Sequence, residues 1–200
     1  LDPSAVADYG PSIEAARREG NTSAGAGWYA VGTTAVIPLA GVLDHSAHAP
    51  SLGVTSYAAF RAAFDAAMAD TETTSVLVHV NSPGGSVQGL FALADRVAAA
   101  RGVKPLAAVV DERAASAAYC IASACDRVVL ASTTAQVGSI GVVAAHVDQS
   151  QAEAAAGIRI TLIAAGDRKV DGNPHAALSD AARQSIEKDV GKLYDEFVSR

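Results

Sequence analysis

Ser116 lies in the run Ala114-Ala115-Ser116-Ala117-Ala118-Tyr119, where only small side chains flank the hydroxyl on both sides before the tyrosine. Small neighbours let another backbone approach closely, which a serine acting as a nucleophile requires. Roughly thirty residues earlier stands Ser82-Pro83-Gly84-Gly85, followed by Ser86. Two glycines after a proline leave backbone N–H groups unshielded, and the start of a following helix adds partial positive charge. The N–H groups of Gly85 and Ala117 can then converge on one carbonyl oxygen as an oxyanion hole. Taken singly, each segment has a plainer meaning. Proline and glycine punctuate turns generally, and a serine at a helix start is often only an N-cap.

A serine hydroxyl is a poor nucleophile at neutral pH and needs a base. Three downstream residues are candidates: His146, His175 and Lys169. Lys169 lies in a polar, glycine-bounded loop, Gly166-Asp167-Arg168-Lys169-Val170-Asp171-Gly172-Asn173-Pro174. An amine side chain is protonated at pH 7, with a reference value of ~10.4, so it accepts a proton only where burial disfavours its charge. Asp167 and Asp171 would oppose that if they faced the ammonium, so both are predicted to point away. His146, with Asp148 or Asp189, would instead complete a Ser-His-Asp triad, which the order Ser116, His146, Asp189 permits. It falls, however, on the apolar run 140–147, where a strand is predicted. His79 reads as a strand residue. His45 and His48 sit in a loop-like stretch, and neither has metal-ligand spacing with Cys120 or Cys125.

These residues are carried by alternating strand and helix patterns. Strands are predicted over 34–40, 76–80, 106–110, 127–131, 140–147 and 158–164, and helices over 55–69, 87–101, 114–124 and 179–200. The last helix has Ile186, Val190, Leu193, Phe197 and Val198 at helical spacing. Such alternation implies crossovers around a largely parallel sheet, hence an α/β fold. The first 32 residues, rich in Gly, Ser and Ala near 21–27, read as a mobile arm before one domain over 33–200.

The chain has 200 residues, 50% of them hydrophobic, which is enough to bury a substantial core. A net charge of -6, a pI near 5.3 and scattered basic residues argue against nucleic acid as a partner. The two cysteines, five apart on one predicted helix, lie on different faces and read as free buried thiols. No apolar run reaches membrane-spanning length, and the first 27 residues lack the basic start and apolar centre of a signal peptide. No membrane anchor, metal or cofactor is expected.

Four landmarks in order, Ser82-Pro83-Gly84-Gly85, Ala115 to Tyr119, Gln136-Val137-Gly138-Ser139-Ile140-Gly141-Val142 and Lys169 to Pro174, resemble the signal peptide peptidase A family of serine–lysine peptidases. The likeness covers roughly residues 33–200 and is greatest to the shorter phage-encoded members acting in capsid maturation. It implies a ClpP/crotonase-like fold, Ser116 as nucleophile, Lys169 as general base, and Gly85 and Ala117 as the oxyanion hole. Ser139 matches the serine that orients the lysine. A peptide or protein substrate would lie extended along Ser86, Val87, Gly138 and Ile140. The resemblance further implies a homo-oligomeric ring or dome, capsid or scaffold proteins as partners, and action in the cytoplasm within proheads. The Ser-Pro-Gly-Gly loop is shared with the proteolytic subunit of Clp protease, and the wider fold includes acyl-CoA enzymes. An acyl-CoA enzyme of the crotonase type and a non-catalytic capsid scaffold are the alternative readings.

Overall fold

The computed structural model describes residues 27–45 and 53–200. Two compact units emerge, one reaching Ile140 and including Arg200, the other spanning Gly141–Ser199. The first 26 residues of the predicted arm and His48 lie outside the described residues. The arm's end does not stand apart: Trp28 and Tyr29 are buried, and β1 (Tyr29–Val31) pairs antiparallel with β2 (Thr34–Asp44).

The first unit is built on one sheet. Its central path runs β1, β2, β4 (Ser75–Gly85), β5 (Leu106–Ala115), β6 (Arg127–Leu130), and every pair after the first is parallel. Two short strands extend it in parallel: β3 (Val54–Ser56) on β2, and β7 (Gln136–Gly138) on β5. Successive side chains point to opposite faces. Ile37, Leu39, Val76, Val78, Val80, Ala108 and Val110 are buried on one, while Tyr29, Val36, Leu77 and Val109 cluster on the other. Runs of Val, Leu and Ala without polar interruption are what a parallel strand covered on both faces demands.

Helix α1 (Tyr57–Ala69) begins where the Ser56 side chain accepts the Ala59 N–H at 3.4 Å, and buries Tyr57, Phe60, Ala63, Phe64 and Ala67, a helical spacing. Helix α2 (Leu90–Ala98) buries Leu90, Phe91, Leu93, Ala94 and Val97. Helix α3 (Ala117–Ser123) packs on β4, β5 and α2, and small residues on nearly every side allow that central position. Both cysteines lie at this helix, free and buried. Burial pushes the Cys120 thiol up to about 11 and the Cys125 thiol to about 12, so both stay protonated at neutral pH and neither competes as a nucleophile.

Two sequence expectations change at the sheet's C-terminal edge. The Ser-Pro-Gly-Gly segment is no turn: β4 continues through it, because β2 offers partners at Val42 and Leu43 and β5 offers one at Ala114. Likewise β5 runs to Ala115, so the helix predicted from Ala114 starts at Ala117.

The second unit holds α4 (Ser150–Ala155) and α5 (Asp180–Val198), the latter capped by Ser179, whose side chain accepts the Ala182 N–H at 3.2 Å. The runs 140–147 and 158–164, predicted as strands, join no sheet. A strand exists only with a ladder partner, and among the described residues none is supplied; Val143 and Ile163 are 91% and 95% exposed. The apolar stripe predicted on α5 is partly covered, with Phe197 buried and Ile186, Val190 and Leu193 half-buried.

The packing predicts a stability effect in the first unit. Phe64 is fully buried and its ring lies 6.4 Å from that of Phe60. Phe64→Ala is expected to lower unfolding free energy by about 3–5 kcal/mol, read from the shift in urea midpoint.

Candidate active site

Ser116 occupies a sharp turn between the end of β5 and the start of α3. Its backbone sits at φ 52°, ψ −123°, a region that side-chain-bearing residues rarely adopt. Among the described residues, only Ser116 and Ser139 are non-glycines with positive φ. Such conformations cost about 1–3 kcal/mol each, persist only where surrounding structure enforces them, and concentrate at functional sites. Enforcement is visible here. The Ser116 N–H donates to the Gly138 carbonyl at 2.8 Å, closing the β5–β7 ladder in which Ala115 faces Gly138. The Ser116 carbonyl accepts the Cys120 N–H at 3.0 Å, the first bond of α3. The side chain is half-buried and projects from a strand-to-helix elbow, the geometry that presents a nucleophilic hydroxyl.

β4 runs alongside this elbow. Gly84, at φ +100°, is so close that a Cβ built on it would lie 2.7 Å from the Ala115 oxygen, 2.8 Å from Ser116 Cβ and 3.1 Å from the Ala117 nitrogen. The structure therefore brings the glycine pair and the serine segment together, as their spacing suggested, with Gly84 making the close approach. The strand is fixed by Ser82, fully buried, which donates to the Gly41 carbonyl at 2.7 Å and accepts the Gly84 N–H at 3.0 Å. At Gly85, a Cβ would strike the Leu43 backbone. The Ser86 N–H donates to the Leu43 carbonyl at 2.9 Å. Ala117 opens α3, where the first N–H groups have no intrahelical acceptor.

Ser139 follows Gly138 at φ 54° and is exposed, as is Ile140. Lys169 belongs to the second unit and is exposed; its N–H donates to the Gly166 carbonyl at 3.2 Å. Asp171 pairs with Arg168 at 2.8 Å. The candidate triad residues have other engagements. His146 Nε2 lies 3.2 Å from the Ala176 oxygen, and Asp189 pairs with Lys192 at 3.3 Å. Asp148 accepts the Ser150 N–H at 2.9 Å, and hydrogen bonding from Ser150, with a smaller contribution from His146, holds its carboxyl below the usual range. His175 Nδ1 lies 2.7 Å from Glu153 Oε1, and His79 lies 3.7 Å from Asp111. No group of three or more His, Cys, Asp or Glu among the described residues could hold a metal, and no described helix is long and apolar enough to cross a membrane.

The sequence marked Ser82, Gly84 and Gly138 but not what they do here: the buried Ser82 side chain ties β4 to Gly41, Gly84 makes the close approach, and the Gly138 carbonyl holds the Ser116 N–H. All three roles depend on contacts across strands. The close approach makes Gly84→Ala a sharp test. Its methyl would push β4 off the elbow and strain a positive φ, so stability is expected to fall by roughly 2 kcal/mol. If Ser116 is the nucleophile, its labelling by a fluorophosphonate should slow by about tenfold or more, as read by intact mass against time.

The sequence profile of peptidase family S49 matches residues 98–200. The head-tail preconnector protein GP5 of Enterobacteria phage P21 is 40% identical over 168 residues, covering 83% of this chain and 33% of that protein. Capsid assembly protease C of Escherichia phage lambda is 38% identical, covering 83% and 38% respectively. The chain thus spans between a third and two fifths of the length of these relatives. Among solved structures, an enoyl-CoA hydratase from Polaromonas sp. JS666 aligns at 22% identity over 84% of this chain and 76% of its own, with a TM-score of 0.45, too loose to bear on chemistry. The profile match extends over just over half of the sequence and includes the strained serine, and on it the chain belongs to peptidase family S49.

Proposed function

We propose that this chain is the peptidase portion of a serine endopeptidase that cleaves capsid or scaffold proteins during phage head assembly. The observation that carries the reading is the elbow at Ser116: a costly backbone conformation, enforced from β7 and crowded by Gly84, at the start of a helix whose first amides are available. Membership of a peptidase family and likeness to a capsid assembly protease support the reaction and the substrate class.

In this reading Lys169, as a neutral amine, takes the Ser116 proton while Oγ attacks the peptide carbonyl. The Gly85 and Ala117 N–H groups accommodate the charge that develops on the carbonyl oxygen. The amine then protonates the departing nitrogen, and water hydrolyses the acyl-enzyme. Ser139 orients the lysine. An extended substrate lies along the strand edges near Ser86, Val87, Gly138 and Ile140. Small side chains around Ser116 favour small or apolar residues at the scissile bond.

A lysine base must be withdrawn from water, yet Lys169 is exposed in a single copy, as are Val143, Val147, Ile158 and Ile163. Large apolar side chains left exposed in this number fit an interaction surface. The active form is therefore a homo-oligomer, in which neighbouring copies cover these residues.

The test is hydrolysis of a tri-alanine p-nitroanilide across pH by assembled wild type, Ser116→Ala, Lys169→Ala and His146→Ala. Ser116→Ala and Lys169→Ala are expected to lose at least roughly a thousandfold in kcat while keeping their assembly state. The wild-type rate should rise with pH as the base loses its proton. His146→Ala is expected to stay within about threefold of wild type, since removing a residue outside the reacting groups leaves the barrier nearly unchanged. Loss of activity in His146→Ala with retention in Lys169→Ala would move the base to the histidine. Inert wild type would favour an acyl-CoA enzyme or a scaffold.

A further inference from the structure

Ser86, the residue that follows the two glycines, is held from three directions. Its N–H donates to Leu43, its side-chain Oγ donates to Asp44 Oδ1 at 3.0 Å, and its carbonyl accepts the Tyr57 hydroxyl at 2.6 Å. The first two bonds come from β2, the strand on which β4 already lies. The third comes from elsewhere. Tyr57 is the first residue of α1 and is 3% exposed. It follows directly on β3, which is itself paired to the end of β2, with Ser56 opposite Asp44.

The phenol is thus a strut fixed at its backbone end by the sheet and at its hydroxyl end by Ser86. Burial, reinforced by Cys120 and Asp44, raises its titration well above the ordinary tyrosine range, so it remains a donor at every pH at which the protein would work.

We propose that Tyr57 is a positioning residue for the oxyanion hole: through the Ser86 carbonyl it fixes the height and rotation of the Gly85 N–H relative to the Ser116 elbow. The inference rests on the peptidase reading given above and adds to it a residue that touches no reacting atom. An oxyanion donor contributes only when it is already in place as charge develops, because donors that must reorganise during the reaction lose much of their effect. Loosening the strand next to Gly85 therefore weakens transition-state stabilisation more than substrate binding, and appears in kcat.

Tyr57→Phe removes the hydroxyl and leaves the buried ring. Measured on the assembled protein with the tri-alanine p-nitroanilide, it is expected to lower kcat roughly five- to tenfold, the equivalent of one neutral hydrogen bond, with KM within about twofold. Thr55→Val, which removes the 2.6 Å bond from Thr55 Oγ1 to the Ala40 carbonyl that holds the strut's backbone end and leaves the buried ring untouched, should lower kcat in the same direction and serves if Tyr57→Phe does not fold. A Tyr57→Phe protein with lowered melting temperature but wild-type kcat and KM would overturn the inference by reducing Tyr57 to a packing residue. Wild type active, Ser116→Ala inactive and Tyr57→Phe unchanged would sink this inference alone. Inert wild type would sink the peptidase reading and this inference with it.

Discussion

The parallel pairing of β4 with β5 is the constraint on which the rest of the site depends. Up to Val80 opposite Val110 the ladder is regular; between Val80 and Ser82 the register shifts, and Ser82 then faces Ala114. That shift lets β4 run past the end of its regular ladder, so that Gly84 meets Ala115, Ser116 and Ala117 at distances no side chain would tolerate. Burial of Val76, Val78 and Val80 secures the regular portion. The hydrophobic core thereby sets the position of a glycine that is not part of it.

Much of this was legible in the sequence. The strand and helix alternation over 34–131 and the closeness of the glycine pair to the serine segment follow from residue type and spacing, because apolar periodicity and small-residue clustering are local properties. Boundaries near the site were less legible. Pro83-Gly84-Gly85 has every attribute of a turn, and only the partners at Val42, Leu43 and Ala114 make it a strand. Pairing is a property of the neighbour and leaves no mark on the segment itself. For the same reason the roles of Ser82 and Tyr57 went unnoticed: a buried serine bonded to Gly41 and a phenol bonded to Ser86 are long-range contacts between unremarkable residue types.

The second unit shows the opposite case. Ile158-Arg159-Ile160-Thr161-Leu162 alternates as a strand should, and 140–147 is equally apolar, yet neither pairs with a strand among the described residues. Periodicity reports what a segment would bury if a partner were present. It does not say where that partner lies, and the exposure of Val143 and Ile163 shows that the described residues do not supply it.

The elbow at Ser116 has an evolutionary corollary. A serine at φ 52° and ψ −123° is held against its own backbone preference, and only glycine occupies that region without penalty. The fold therefore carries a standing thermodynamic handicap at this one residue. In a lineage released from the need for the serine hydroxyl, mutation would drift toward glycine at this position and gain stability by doing so. Under the proposed function, glycine at this position in a relative with the same strands would identify a copy that has kept the scaffold and abandoned the chemistry.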